Sequence, residues 1–205
     1  MRLVLASASQ ARLAVLRAAG VDPVVRVSGV DEDALATTLP SAAPAQLVTA
    51  LARAKADAVA ADLVAEHRDA VVVGCDSMLH VGGELVGKPG CADVALRRWA
   101  AMAGGTGELL TGHAVVRLDE GTVTATASGA QTTLIRFGTL SAAEIEAYVG
   151  TGEPLQVAGG FTLDGRGGWF VDGIDGDPSS VIGISLPLTR RLLAEVGVPV
   201  VSLWS

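Results

Sequence analysis

Two lysines stand out among the charged residues, because arginine supplies the other thirteen cationic side chains of this chain. Lys55 and Lys88 flank the acidic turn Gly74-Cys75-Asp76-Ser77 in the sequence. A lysine ammonium is a compact point charge on a flexible stem, whereas an arginine presents a planar fork. Lysines kept in an arginine-rich chain therefore indicate a phosphate site near Asp76. The alternative is a chance placement of two lysines along the chain.

A second group of polar residues follows the first predicted strand. Ser7 and Ser9 stand where that strand gives way to a helix, and Arg12 follows one turn later. Free N–H groups at a helix start bind anions, and an arginine fork adds two donors for phosphate oxygens. The simpler interpretation is that a serine caps the helix and Arg12 is solvated.

Two carboxylates are candidates for acid–base or metal chemistry. Asp76 ends a predicted buried strand, and Glu32 is predicted to end another. Carboxylates brought together at strand ends could hold a divalent cation and activate a water. Alternatively, Asp76 only caps the turn that follows it.

Other catalytic patterns are absent or incomplete. The segment Gly82–Lys88 resembles a Walker A loop, but Pro89 replaces the magnesium-binding hydroxyl and the two glycines indicate a hairpin, so a nucleotide kinase is rejected. The histidines at 67, 80 and 113 lack the spacing of a zinc site. Cys75 lies in a valine-rich strand and is interpreted as a buried packing thiol.

Composition narrows the class of protein. A chain of 205 residues with 50% hydrophobic residues can bury a sizeable core in one domain, predicted to span residues 1–205. The net charge of −7 argues against nucleic acid or an anionic membrane as a partner. Two cysteines give no disulfide framework, and no signal peptide or membrane span is predicted, so a cytoplasmic location is expected.

Strand-like and helical segments alternate along the chain, which predicts an α/β fold. The predicted strands are 3–6, 24–28, 70–74, a hairpin over 78–86, and an antiparallel pair over 108–118 and 122–137. The predicted helices are 9–19, a helix from 44 to near His67, 92–103, 141–149 and 187–196. Residues 152–183 are predicted as glycine-rich turns, and a short strand is predicted at the C-terminus.

Taken in order, nine short motifs resemble the Maf family of nucleoside triphosphate pyrophosphatases, also called septum-formation-inhibitor-like proteins. The motifs are Leu5-Ala6-Ser7-Ala8-Ser9 with Arg12, Val30-Asp31-Glu32, Ala52-Arg53-Ala54-Lys55-Ala56, Gly74-Cys75-Asp76-Ser77, Leu85-Val86-Gly87-Lys88-Pro89, Thr111-Gly112, Gly152-Glu153-Pro154, Ala158-Gly159-Gly160-Phe161 and Val181-Ile182-Gly183.

The resemblance implies a two-lobed α/β domain around a curved mixed sheet with a central cleft, in many members a homodimer. It implies a cytoplasmic enzyme that uses a divalent cation, Mg²⁺ or Mn²⁺, to cleave a nucleoside triphosphate to the monophosphate and pyrophosphate. Asp76 would be the proton acceptor, and Glu32 and Asp76 would hold the metal. The substrate-binding residues would be Ser7, Ser9, Arg12, Lys55 and Lys88.

Three residues match the positions that separate the base preferences of family subgroups. They are Ala11, Ser77 and Asp164, and they fit neither the pyrimidine nor the methylated-guanine subgroup. The preferred base is therefore open. Two other functions remain as alternatives: a protein-binding regulator of septum formation, and a phosphatase that would release orthophosphate.

Overall fold

The structure is a computed structural model that describes residues 1–66 and 69–205. Within these residues it contains seven strands and seven α-helices. The strands are β1 (Arg2–Leu5), β2 (Val24–Val25), β3 (Ala70–Val81), β4 (Glu84–Val86), β5 (Thr106–Asp119), β6 (Thr122–Phe137) and β7 (Val171–Asp175). The helices are α1 (Gln10–Ala18), α2 (Glu32–Thr37), α3 (Pro44–Ala65), α4 (Ala92–Met102), α5 (Ala142–Gly150), α6 (Pro178–Ile182) and α7 (Leu186–Glu195).

The strands pair in a mixed pattern. Their hydrogen-bonded order is β2-β1-β3-β5-β6-β7, with β4 paired to β3. The β1 strand is parallel to both β2 and β3, whereas β3–β4 and β6–β7 are antiparallel. The predicted α/β fold with a mixed sheet is therefore confirmed.

The chain divides into two compact units. The first comprises Met1–Asp76, Thr111–Gln131 and Gly183–Ser205, and the second comprises Ser77–Leu110 and Thr132–Ile182. Strands β3, β5 and β6 each contribute one part to the first unit and one part to the second. Among the described residues, no helix combines the length and the apolar character that a bilayer crossing requires.

The first unit is built in three layers. Successive side chains of a strand point to opposite faces, so a strand covered on both sides must be apolar at every position. On one face, Leu5 and Val73 pack with Leu13 of α1 and Leu192 of α7. On the other face, residues of β1, β3 and β5 pack against α3, namely Val4, Val72, Ala114, Ala52, Ala56 and Val59. The sheet is thus covered on both faces.

The second unit has an aromatic core. Trp99 of α4 is fully buried and makes edge-to-face contacts with Phe137, Tyr148 and Phe170 at centroid distances of 5.7, 5.4 and 6.1 Å. Its indole N–H donates to the Gly160 carbonyl at 2.8 Å, which satisfies the one polar group of the ring. Most of the few aromatic side chains of this protein therefore pack together in the core of the second unit.

Local signals predicted several element ends correctly. Ser9 caps α1, and Ser141 and Glu144 form the expected capping box at α5. Gly82 and Gly83 both have positive φ, of 60° and 82°, and join β3 to β4 in the predicted two-residue hairpin.

Other predicted boundaries are wrong. The β2 strand has only two residues, and the predicted C-terminal strand is a 3₁₀ turn over Val200–Leu203. Residues 152–183 contain β7 and α6 in addition to turns. The β3 strand does not stop at Gly74 but continues to Val81. The long helix α3 ends at Ala65, and the predicted end near His67 lies outside the described residues.

Candidate active site

Ser7 and Ser9 organise the junction between β1 and α1. The Ser9 hydroxyl accepts the Arg12 backbone N–H at 3.4 Å, so Ser9 is the N-cap. The Ser7 hydroxyl, which is buried, accepts the Ser9 N–H at 3.2 Å and the Arg12 Nη1 donor at 3.0 Å. Capping and an anion-binding role are therefore both compatible with this junction, since Ser7 joins the helix start to the guanidinium.

Arg12 is a half-buried, hydrogen-bonded residue rather than a solvated one. Its Nη1 also donates to the Cys75 carbonyl at 2.9 Å, and its Nε donates to the Gly183 carbonyl at 2.8 Å. Partners on two different guanidinium nitrogens determine both the position and the plane of the group. Arg12 is therefore held next to Asp76, the residue that follows Cys75.

The most unusual feature of the first unit is a buried ion pair between Lys55 and Asp76. Nζ of Lys55 lies 2.6 Å from Oδ1 of Asp76 and 2.8 Å from Oε1 of Glu32. Lys55 and Asp76 are 7% and 6% exposed, whereas the Glu32 side chain is 52% exposed. Charged residues are almost never buried unless they are paired, and here one ammonium serves two carboxylates.

Strand parity explains why Asp76 meets α3. Val72 packs on the α3 face of the sheet, so Gly74 and Asp76, two and four residues later, point to the same side. Lys55 lies on α3 between Ala52 and Ala56, both of which pack on that face. The two charged side chains are 21 positions apart and are brought together because β3 packs directly on α3.

Two glycines allow this close packing. A Cβ on Gly74 would lie 2.4 Å from the Ala52 carbonyl oxygen, and a Cβ on Gly112 of β5 would lie 2.1 Å from that of Val48. Real Cβ atoms do not approach backbone oxygens so closely. Glycine at both positions therefore lets β3 and β5 contact the backbone of α3, which carries Lys55.

Burial controls the ionisation of Asp76. Desolvation raises the pKa of its carboxyl above the ordinary value of 3.8, against the opposing effects of the Lys55 and Arg12 cations. The exposed Glu32 carboxylate adds to the increase. A carboxylate whose pKa is raised toward the working pH is a better proton acceptor than a solvated aspartate.

The raised pKa predicts how stability depends on pH. The folded state binds the Asp76 proton more tightly than the unfolded chain does, so the resulting stabilisation is present below 3.8 and is lost as the pH rises through the folded pKa. We therefore expect the unfolding free energy of the wild type, minus that of Asp76→Asn, to fall as the pH rises from about 4 through the raised pKa of Asp76 in the folded state. Urea unfolding of both proteins at a series of pH values above about 4 measures this difference in unfolding free energy. The subtraction cancels the contributions of groups that titrate alike in both proteins. A difference in unfolding free energy that rises with pH would contradict a raised pKa of Asp76 in the folded state.

Both carboxylates differ in position from the prediction. Glu32 does not end a strand but begins α2, which Asp31 caps through a 2.9 Å bond to the Ala34 N–H. Asp76 lies inside β3 rather than at its end and caps no turn. Since an aspartate disfavours strands, the pattern alone indicated a strand end. The pairing with Lys55 outweighs this preference.

The carboxylate pair of Glu32 and Asp76 is a partial donor set for a divalent cation. The described ranges 1–66 and 69–205 contain no cluster of three or more His, Cys, Asp or Glu side chains that could hold a metal ion. Glu32 and Asp76 do lie within reach of one cation, which in this structure is the Lys55 ammonium. Mg²⁺ commonly binds one or two carboxylates together with substrate phosphates, so this donor set fits an ion shared with a substrate.

Lys88 belongs to the second unit. It is exposed and follows β4, in a loop whose Gly87 carbonyl accepts Nη1 of Arg98 at 2.7 Å and the Gly159 N–H at 3.2 Å. A Cβ on Gly160 would lie 2.9 Å from Cγ of the buried Pro89. The loop is thus firmly held and presents the lysine to solvent.

The three residues that the resemblance predicts to select the base are divided between the two units. Ala11 is half-buried on α1 in the first unit, beside Arg12 in the sequence. Ser77 is half-buried in β3, and Asp164 is exposed before a 3₁₀ turn, both in the second unit.

Two residues that sequence reasoning treated as incidental contribute to the site. Gly183 belongs to one of the family motifs, but the sequence does not show that its carbonyl accepts a hydrogen bond from Arg12. Its φ of 130° favours glycine. Cys75 contributes through its backbone carbonyl. Its thiol is fully buried, as predicted, and desolvation raises the pKa of that thiol to about 11.

Open cavities occur elsewhere in the first unit. One of about 510 Å³ is lined by residues 38–42, Gln46 and Ala50, and one of about 550 Å³ is lined by α3 and β6 residues including Arg53 and Ser128. Neither is lined by the Lys55–Asp76 pair. The candidate site is therefore marked by its buried charges and not by either of these cavities.

Comparisons with known proteins show the family to which this chain belongs. A family model described as "Maf-like protein" matches residues 2–196. A Saccharopolyspora erythraea protein named nucleoside triphosphate pyrophosphatase is 65% identical over 205 residues, which cover 100% of this chain and 97% of the relative. A Nocardia farcinica protein of the same name is 63% identical, and the match covers 98% of this chain and 96% of that relative. A Mycobacterium marinum protein of the same name is 54% identical, and the match covers 100% of this chain and 97% of that relative. The chain therefore belongs to the family of Maf-like proteins.

Proposed function

We propose that this protein hydrolyses nucleoside triphosphates to the monophosphate and pyrophosphate, with Asp76 as the proton acceptor. The observation that carries the proposal is the buried Lys55–Asp76 pair with Glu32 and Arg12 beside it. The relatives that share 54–65% identity over nearly their whole length bear the name of this activity. A nucleoside triphosphate substrate supports the proposal of a cytoplasmic location.

Asp76 accepts a proton from the attacking water. Oxygen of the water bonds to the α-phosphorus while the bond between that phosphorus and the oxygen bridging to the β-phosphate breaks. The proton passes to the Asp76 carboxylate, and pyrophosphate leaves with the bridging electron pair. Burial of Asp76 keeps its carboxylate poorly solvated, so its proton affinity is higher than that of an exposed aspartate.

Cationic side chains meet the negative charge of the triphosphate. Arg12, Lys55 and Lys88 bind phosphate oxygens, while Ser7 and Ser9 orient Arg12 and the first turn of α1. Charge grows on the leaving oxygens in the transition state, so cations that face the leaving pyrophosphate stabilise it more than the bound substrate. Arg12, which is held by its bonds to two backbone carbonyls, binds the phosphates alike in the bound substrate and in the transition state.

A divalent cation, Mg²⁺ or Mn²⁺, would be held by Glu32 and Asp76 together with substrate phosphates, where it supplies charge neutralisation and polarises the water. Lys55, which bridges the two carboxylates in this structure, would bind a phosphate oxygen of the substrate. Its long stem allows this without a change in the helix.

Base selection is assigned to Ala11, Ser77 and Asp164. Ala11 leaves space beside α1 for a larger base, and Asp164 offers an exposed acceptor for the hydrogen-bond donors of a base. These residues match neither known subgroup pattern, so a panel of canonical and modified nucleotides is needed to find the preferred base.

The activity is tested with purified protein, Mg²⁺ or Mn²⁺, and that nucleotide panel, with pyrophosphate and orthophosphate measured separately. Pyrophosphate and monophosphate in equal amounts are expected. Orthophosphate alone would identify a phosphatase. Neither product with any metal would overturn the proposal and favour the regulator of septum formation.

Lys88→Arg is expected to lower kcat/KM by about tenfold although the charge is kept. The Gly87-Lys88-Pro89 loop is held by Arg98 and Gly159, so it cannot shift to accommodate a longer planar fork. Steady-state kinetics measure the change. Arg17→Lys, at an exposed surface ion pair with Asp22, is the control and should retain wild-type kinetics. Unchanged kinetics of Lys88→Arg would remove Lys88 from the proposed substrate contacts.

A further inference from the structure

His113 of β5 is a fully buried imidazole within the first unit. Its Nε2 lies 2.8 Å from the backbone nitrogen of Ser185, and its Nδ1 lies 3.0 Å from the Thr111 carbonyl oxygen. A backbone N–H can only donate, so Nε2 must accept and carry no proton. The proton is then on Nδ1, which donates to Thr111. These contacts select one neutral tautomer.

The hydrogen bond from the Ser185 N–H to Nε2 of His113 holds the backbone of the segment Gly183–Ser185 in place. Ser185 is fully buried, and its hydroxyl accepts the Leu188 N–H at 3.1 Å as the N-cap of α7. Ile184 is fully buried in the core between α1 and α7. The backbone of this segment is therefore determined by one bond to His113, one cap and one core side chain.

The same segment holds Arg12. The Gly183 carbonyl accepts Nε of Arg12 at 2.8 Å, and a Cβ on Gly183 would lie 3.3 Å from Cγ and Nε of that arginine. The guanidinium thus lies directly against the Gly183 backbone. A shift of the Ser185 backbone, two residues away, would move the carbonyl that sets the guanidinium plane.

We propose that His113 is a positioning residue for the reaction and acts through Ser185 and Gly183 on Arg12. The inference rests on the proposed function, in which Arg12 binds the triphosphate. His113 does not touch the substrate. It supplies the acceptor for a buried N–H that would otherwise have to turn toward another partner, since buried backbone N–H groups are nearly always paired.

Two substitutions of His113 distinguish the loss of the hydrogen-bond acceptor from the loss of the ring itself. His113→Leu removes both nitrogens, whereas His113→Gln keeps an acceptor near the Nε2 position. We expect His113→Leu to raise KM for a nucleoside triphosphate by about tenfold with kcat changed less than about threefold, as for the loss of a well-aligned bond to a charged group. His113→Gln should restore most of the KM. Equal KM values for the two variants would overturn the proposal.

A double-mutant cycle tests whether the effect passes through Arg12. Arg12→Lys keeps a positive charge but removes the Nε donor. If His113 acts through Arg12, His113→Leu should raise KM less than about twofold in the Arg12→Lys background. A full tenfold increase in that background would show a general structural role instead.

The controls keep failure of this inference distinct from failure of the proposed function. If Arg12→Lys alone leaves KM unchanged, the substrate contact of Arg12 is wrong, and the inference falls with it. If His113→Leu yields no folded protein, His113→Asn replaces it, because Asn reaches the Nδ1 position but leaves the Ser185 N–H without its acceptor. The KM of His113→Asn must then be higher than the KM of His113→Gln, and the reverse order would overturn the proposal.

Discussion

Asp76→Asn is expected to lower kcat for nucleoside triphosphate hydrolysis by about 10²–10⁴-fold while KM stays within about threefold. An amide cannot accept the proton of the attacking water, and a positioned general base contributes a rate factor of that size. The loss corresponds to about 3–5 kcal/mol of transition-state stabilisation. Steady-state kinetics with pyrophosphate detection measure it.

The substitution should leave the site otherwise intact. Asn is isosteric with Asp, its Oδ1 can still accept from Lys55, and Lys55 keeps its ion pair with Glu32. Ionised Asp76 is buried at a net cost, as its raised pKa shows, so the variant should be no less stable at neutral pH. A functional residue that lowers stability is a common trade-off.

Asp57→Asn is the matched control. Asp57 is exposed on α3, two residues after Lys55, and has no part in the proposed site. This variant should retain wild-type kcat. Wild-type kcat in Asp76→Asn would exclude Asp76 as the proton acceptor. A large loss in both variants would point to α3 as a whole rather than to the carboxylate.

The parts of the site with local signals could be predicted from sequence. Ser9 was identifiable as a cap because its position before an apolar periodic segment is a local property. The residue types of Lys55 and Asp76 indicated phosphate chemistry, and the resemblance of the motifs to the family implied their roles, which stay predictions. The sequence predicted one phosphate site for both residues but not their direct contact, which the structure shows at 2.6 Å.

The remaining features depend on tertiary packing. Asp76 lies inside a strand and is paired there with Lys55, and nothing in residues 74–77 alone encodes that partner. The β7 strand is short and glycine-containing, and it forms by pairing with β6, as Ile135 opposite Ile174 shows. The carbonyl partners of Arg12 are backbone groups from positions 75 and 183, for which residue type carries almost no signal.

The geometry of the charged cluster depends in turn on how closely the sheet approaches α3. Val48, Ala52 and Ala56 recur every four residues and present one face of α3 to the sheet. Gly112 lies against the first of them and Gly74 against the other two. Small residues on both elements are therefore a requirement of the Lys55–Asp76 contact, although none of them takes part in the chemistry.

Gly112→Ala is accordingly expected to lower the free energy of unfolding by about 3 kcal/mol or more. The added methyl would lie 2.1 Å from the carbonyl oxygen and 2.2 Å from the carbonyl carbon of Val48, so β5 and α3 must separate. Because both contacts are backbone atoms of a buried helix, no side chain can rotate away to relieve the overlap. Urea unfolding measures the change, and any folded variant should also lose kcat/KM as Lys55 moves from Asp76.

Gly129→Ala on β6 is the matched control for the added methyl itself. There the nearest atom to a new Cβ is a Leu188 side-chain carbon at 3.6 Å, an ordinary van der Waals distance. Its unfolding free energy should change by about 1 kcal/mol or less, since alanine also restricts the unfolded chain. If Gly112→Ala matched this control, the contact between β5 and α3 would be looser than the structure shows. The placement of Lys55 against Asp76 would then need a different cause.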